Sequence, residues 1–147
     1  MTAGRTRPIA ICVLRDGERM LCPEGYDSVK REKFYRPLGG SIEFNERGHE
    51  TVRREVREEI GAEIADIRYL GMLENLFTCE GKPGHEIVLV YEARFADASL
   101  YDQDSIVAHE DVLGVAPWRC VWKTSADLRA EGVPMYPDGL LDLLDGR

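Results

Sequence analysis

Apolar and polar positions change period several times along the chain. Pro8 to Leu14 is an unbroken apolar, β-prone run; Arg15-Asp16-Gly17-Glu18-Arg19 interrupts it, and Met20-Leu21-Cys22 resumes it. That order predicts a hairpin turning at Asp16-Gly17. Gly25 to Lys33 is polar and reads as a loop, and Phe34-Tyr35-Arg36 predicts a short strand that Pro37 stops. Between Glu46 and Ile60 the period becomes helical: Asn45 is a candidate cap, Gly61 a stop, and Val52, Val56 and Ile60 recur every fourth residue. Ala65 to Cys79 and His85 to Phe95 are β-rich, with Glu80 to Gly84 as the loop between them. An acidic, serine-containing loop then precedes a strand over Ala116 to Trp122, and short helices are expected at Ser125 to Ala130 and Asp138 to Leu144. Strands, one strong helix, more strands and late helices predict an α/β or α+β sandwich with a mixed sheet between helices.

Composition narrows the classes. In 147 residues, 19 Lys and Arg stand against 27 Asp and Glu, a net charge of −8, with 44% hydrophobic residues. These values describe a core-forming globular chain of one expected domain, residues 1–147. No apolar run approaches the roughly 20 residues that span a bilayer, and the basic N-terminus lacks an apolar signal region, so a cytoplasmic location without a membrane partner is expected. The acidic balance argues against nucleic acid as a partner, because affinity for it comes from clustered Lys and Arg. Cys12, Cys22, Cys79 and Cys120 have no metal-binding or disulfide spacing and read as free thiols.

The helix carries the candidate chemistry. On a wheel with Val52 at the origin, Glu58, Glu55 and Glu59 fall at about 240°, 300° and 340°, while Arg53, Arg57 and Arg54 fall at about 100°, 140° and 200°. Like charges at this spacing repel by a few tenths of a kcal/mol per pair unless a cation sits against them. Two readings follow, a solvated acidic stripe or a face that holds a hard divalent metal.

The wider spacing favours the second. Gly40 is followed after five residues by Glu46, after seven more by Arg54-Glu55-Val56, and after one more by Glu58-Glu59, with Gly61 two residues on. This resembles the Nudix box of the Nudix hydrolases, G-x5-E-x7-R-E-U-x-E-E-x-G-U, where U is a bulky aliphatic; only Ala62 departs, at the final position. The resemblance implies a Nudix-type α/β/α sandwich and a Mg²⁺-dependent pyrophosphohydrolase, with Mn²⁺ as the alternative ion, acting on a nucleoside diphosphate linked to another moiety. It implies Gly40, Glu55, Glu58 and Glu59 as metal ligands, with Glu55 or a later glutamate as the base. Glu110 is that later candidate by position, with Asp111 and Asp104 as alternatives. Glu46, Arg54 and Gly61 would be structural. Gly39 and Arg36 are candidates for substrate binding, Gly39 through close backbone approach and Arg36 as a bidentate phosphate ligand.

Weaker candidates surround these. Lys30, Arg31 and Lys33 could steer polyphosphate; Tyr35, Phe77 and Trp118 could stack on a base but are expected in the core; His49 is expected to pack beside the apolar stripe. His85 and Glu86 read as a surface strand end, with Glu86 pointing across the sheet towards the metal cluster as the alternative. The competing functional class is a Nudix domain without activity that senses nucleotides or binds protein, against which the complete glutamate set argues; an RNA 5′ end as substrate fits the acidity poorly. A homodimer is compatible with the resemblance.

Overall fold

The computed structural model describes residues 4–110 and 115–146, excepting the side chains of Glu110, Val115 and Ala116. In chain order the elements are β1 (Thr6–Asp16), β2 (Arg19–Asp27), β3 (Glu32–Tyr35), β4 (Leu38–Ser41), α1 (Gly48–Ile60), β5 (Ile64–Cys79) and β6 (Lys82–Phe95). A 3-10 turn (Ala98–Asp102), β7 (Ser105–Glu110), β8 (Val115–Thr124), α2 (Ser125–Glu131) and α3 (Leu140–Leu144) complete it.

The strands hydrogen-bond in the order β5-β6-β1-β2-β8-β7, with β3 on β2 and β4 on β1. β1 and β6 run parallel while their other neighbours are antiparallel, which makes the sheet mixed, as expected. Alternation along β1 sends Ala10, Cys12 and Leu14 to the side where Val52 and Val56 of α1 pack. Ile9, Ile11 and Val13 face the other way, towards Leu128 of α2 and Leu140 of α3. A strand covered on both faces has no polar alternation, and this is why residues 8–14 are uniformly apolar. The outcome is an α/β/α sandwich.

Several boundaries differ from expectation. β2 and β3 extend through most of the predicted loop at 25–33, pairing Glu24 with Tyr35 and Asp27 with Glu32. Asp27 makes this possible: its carboxylate, 3% exposed, accepts from the N–H groups of Val29, Lys30 and Glu80 and so closes the remaining turn. The β5–β6 connection shrinks to Glu80-Gly81, both with positive φ (52° and 75°), the geometry of a tight hairpin; Pro83 and Gly84 therefore belong to β6. The acidic stretch before β8 contains β7, whose polar residues conceal the buried Ile106 and Ala108.

The four cysteines are free. Burial pushes the thiols of Cys12, Cys22 and Cys120 up to about 12, so they stay protonated and act as small apolar side chains. No helix among the described residues is long and apolar enough to cross a membrane.

Candidate active site

The site is built where α1 meets the short strand β4. Gly61 ends α1 in the left-handed conformation (φ 68°) with its N–H on the Arg57 carbonyl. The start differs from expectation. Asn45 is itself left-handed (φ 67°), and Arg47 is the cap, its N–H donating to Glu50 Oε1 at 2.9 Å. The delay has a cause in Glu46, which is committed elsewhere: Oε2 accepts from Arg54 Nε at 2.8 Å, and Oε1 accepts from Arg54 Nη2 at 2.9 Å and from Thr51 Oγ1 at 2.6 Å.

Arg54 therefore forks onto Glu46 and also donates to the Ser41 carbonyl at 3.1 Å, tying α1 to the end of β4. Its third nitrogen, Nη1, donates to Glu55 Oε1 at 3.0 Å and Glu58 Oε2 at 3.3 Å. The Arg54 hydrogen bonds hold the Glu46 carboxyl at about 2, well below the usual 4.5, and outweigh its partial burial. A depressed folded-state value means that this stability is complete above the unfolded value and is lost as pH falls from about 4.5 to about 2. The Glu46 side chain is 14% exposed, and its shift corresponds to at most about 3 kcal/mol. Acid unfolding followed by circular dichroism is expected to show this loss in the native chain and a shallower pH dependence in Glu46→Gln; parallel curves would refute the assignment.

The buried face of α1 is rotated from the one Val52, Val56 and Ile60 predict. Gly48, Thr51, Val52 and Val56 are buried, which centres the face at about 330° on the wheel. Glu55 and Glu59 lie inside that face, whereas Glu58 is 53% exposed and His49, expected to be packed, is exposed. The rotation follows from backbone contact. A Cβ on Gly40 would stand 2.4 Å from Glu55 Oε1, and Glu59 Oε2 accepts the Gly39 N–H at 3.2 Å, so two helix carboxylates press on a stretch where side chains would not fit. Gly39 is further restricted, with φ 155° and an added Cβ 2.2 Å from the Ala10 carbonyl oxygen.

These groups line a cleft of about 490 Å³, within the range of small-molecule sites. Gly39, Gly40, Glu55 and Glu59 form its inner wall; Arg36 stands at its rim, and Trp118 contributes from β8. Arg36 is exposed and makes no ion pair among the described residues. Its neighbours are committed otherwise: Glu24 is itself shielded by burial, yet hydrogen bonds from Arg119 (2.8 Å) and Lys33 (3.0 Å) lower its carboxyl below the usual range. Hard oxygen donors on a glycine-cleared backbone are the donor set that Mg²⁺ or Mn²⁺ prefers, so the residues fit such an ion. No group of three His, Cys, Asp or Glu side chains among the described residues is gathered as a ready metal cage, because Arg54 stands between Glu55 and Glu58.

The remaining candidates scatter. Glu110 ends β7, its side chain outside the described set, and Asp111 lies outside the described residues altogether; Asp104 is exposed before β7. Tyr35 is core, 1% exposed, but Phe77 lines a second cavity and Trp118 the cleft, so two of the three aromatics reach open space. Glu86 is not a surface strand end. It is 7% exposed and lines both cavities, flanked across the strands by Asn75 of β5 and Arg7 of β1. The Glu80-Gly81 turn, read as tight, would have placed it mid-strand.

The structure resembles solved proteins along almost its whole length. A NUDIX hydrolase from Nitrosomonas europaea superposes with a TM-score of 0.67 at 14% identity, covering 96% of this chain and 87% of that one. A MutT NUDIX hydrolase from Burkholderia pseudomallei gives 0.60 at 18% identity, covering 84% and 87%. Among curated sequences, the NAD-capped RNA hydrolase NudC of Pseudomonas aeruginosa is 32% identical over 114 residues, 78% of this chain and 36% of that protein. Its namesake in Mycobacterium tuberculosis is 37% identical over 68 residues, 46% of this chain and 21% of that protein. The chain thus spans about a third or less of the curated relatives it matches. A family profile for the NUDIX domain matches residues 5–137, and with the box, the fold and the cleft in agreement the chain belongs to the NUDIX domain family.

Proposed function

We propose that residues 1–147 act as one catalytic domain, a divalent-metal-dependent pyrophosphohydrolase that cleaves the diphosphate of a nucleotide derivative. The observation that carries this reading is the joint placement of Glu55, Glu59 and the Gly39-Gly40 backbone in one cleft with Arg36 at its rim. Glu55, Glu58 and Glu59, with the Gly40 carbonyl, would hold Mg²⁺ or Mn²⁺, which when bound neutralises diphosphate oxygens and acidifies water. Arg36 would supply a planar cation for a non-bridging phosphate oxygen. Glu55, or Glu110 from β7, takes the proton of the attacking water as the new P–O bond forms and the anhydride P–O bond breaks in line. Arg54 positions Glu55 and Glu58 without touching substrate.

The test is product release from nucleoside triphosphates, nucleotide sugars, ADP-ribose, dinucleoside polyphosphates and NAD, with Mg²⁺, Mn²⁺ or chelator. Chelator-sensitive release of a nucleoside monophosphate is expected. Silence across the panel with both ions would favour a nucleotide-sensing or protein-binding module instead. Independently of turnover, millimolar Mg²⁺ is expected to raise the melting temperature, since an ion bound only by the folded state stabilises it.

A further inference from the structure

The second cavity opens beside the cleft and shares Ile9, Phe34, Arg36 and Glu86 with it. Phe34, Phe77 and Tyr136 give it aromatic walls, and Ile9, Ile11 and Val88 an aliphatic floor. At its polar end stand Asn75 and Glu86, directly opposite each other on β5 and β6 and exposed by only 4% and 7%. Opposed residues on antiparallel strands have Cβ atoms about 4.5–5.5 Å apart and point to the same face.

Their hydrogen bonding is incomplete. The Glu86 side chain makes no hydrogen bond among the described residues; its one ionic partner among them is the Arg7 guanidinium, 3.8 Å from Oε2, and Arg7 itself donates to Ser41 Oγ at 2.6 Å. Asn75 Oδ1 accepts the Asp138 N–H at 3.3 Å, and its Nδ2 donates to no described residue. Both residues line the cavity and neither leaves a fully buried orphan atom, so their remaining hydrogen-bonding capacity is open to a ligand that enters the slot.

We propose that this slot binds the base of the substrate and that Asn75 and Glu86 select guanine, a reading that rests on the cleft being the diphosphate site. Across the pair the protein offers one donor, Asn75 Nδ2, followed by the two acceptors of Glu86. The Watson–Crick edge of guanine is the complement: the O6 acceptor, then the N1–H and N2–H donors. Adenine sets its N1 lone pair against a carboxylate, and cytosine sets both N3 and O2 against it. Uracil matches at O4 and N3–H but turns O2 towards Glu86. The aromatic walls contribute stacking that any base would share; Asp27, Lys30 and Glu32 also line the cavity, but Asn75 and Glu86 are the directly opposed pair that reads a base edge. Arg36, common to both cavities, is placed where base site and phosphate site meet.

The experiment is calorimetric titration of the full chain with GMP, IMP, AMP, CMP and UMP, which contain no anhydride to cleave. GMP is expected to bind about 10–100-fold tighter than AMP, CMP or UMP, the range that one bidentate base contact supplies, and more tightly than IMP, which lacks the 2-amino group. Glu86→Gln, checked for folding by its melting curve, is expected to lose the preference for GMP over IMP; Asn75→Ala should weaken GMP and IMP equally. Equal affinities across the set, no measurable GMP binding, or an unchanged GMP preference in folded Glu86→Gln would overturn the assignment. Metal-dependent cleavage of all triphosphates with equal affinities would sink the guanine site alone. A GMP preference without cleavage of any substrate would sink the hydrolase alone.

Discussion

Glu59→Gln is expected to lower kcat by about 10²-fold or more while leaving the melting temperature nearly unchanged. The amide oxygen of Gln can still accept the Gly39 N–H that Glu59 holds at 3.2 Å, so the loop keeps its support. What disappears is a negative oxygen facing the Gly39-Gly40 backbone, and a divalent ion loses a charged ligand there. Glu55→Gln is expected to behave alike, since Glu55 presses on Gly40 from the next turn of α1. Glu58 starts elsewhere, 53% exposed and 3.3 Å from Arg54. An equal loss in Glu58→Gln is expected from the proposed ligand set and means that Glu58 leaves Arg54 when the ion binds. Steady-state kinetics over a Mg²⁺ series separates the effects, and native kcat in both Glu58→Gln and Glu59→Gln would sink the ligand assignment.

Arg54→Met is expected to be the most damaging single change. The guanidinium is shared by Glu46, Glu55, Glu58 and the Ser41 carbonyl, and Glu46 and Glu55 are only 14% and 16% exposed. Removing it leaves negative charges close together in a poorly solvated place, a loss of about 2–4 kcal/mol. For a domain of this size that lowers Tm by roughly 5–15 °C. Activity should fall further than stability, because the strand that carries Gly39 and Gly40 is no longer tied to the helix that carries the carboxylates. Arg54→Lys separates charge from geometry: it keeps the positive charge but lacks the fork, so it is expected to recover part of the Tm and little of the kcat. Thermal melts of both variants, read with kinetics at a temperature where each is folded, provide the check. Equal kcat in Arg54→Lys and the native chain would show that charge alone matters.

Local patterning made much of the fold legible. β1 was visible because both of its faces are buried, and α1 because valine recurs with its turn. β7 was not visible: it carries Ser, His and Glu, and only pairing with β8 and packing of Ile106 and Ala108 under α1 make it a strand. The 25–33 region looked like a loop because Asp27 is ordinarily a turn former; its three backbone hydrogen bonds, one to a residue 53 positions away, are invisible in local sequence.

The same division runs through the site. Sequence by itself determined the family, the glycine-rich approach and the spacing that sets Glu55, Glu58 and Glu59 on one side of a helix, because all of these are relations within 23 consecutive residues. Tertiary structure alone decided which of those carboxylates face the cleft, since the rotation of α1 is set by how closely it can approach Gly39 and Gly40 on another element. It alone decided that Glu86 is buried beside Asn75, because burial at a strand end depends on which strands cover it. Periodicity reports the geometry of one element; the surface that a side chain meets is supplied by the others.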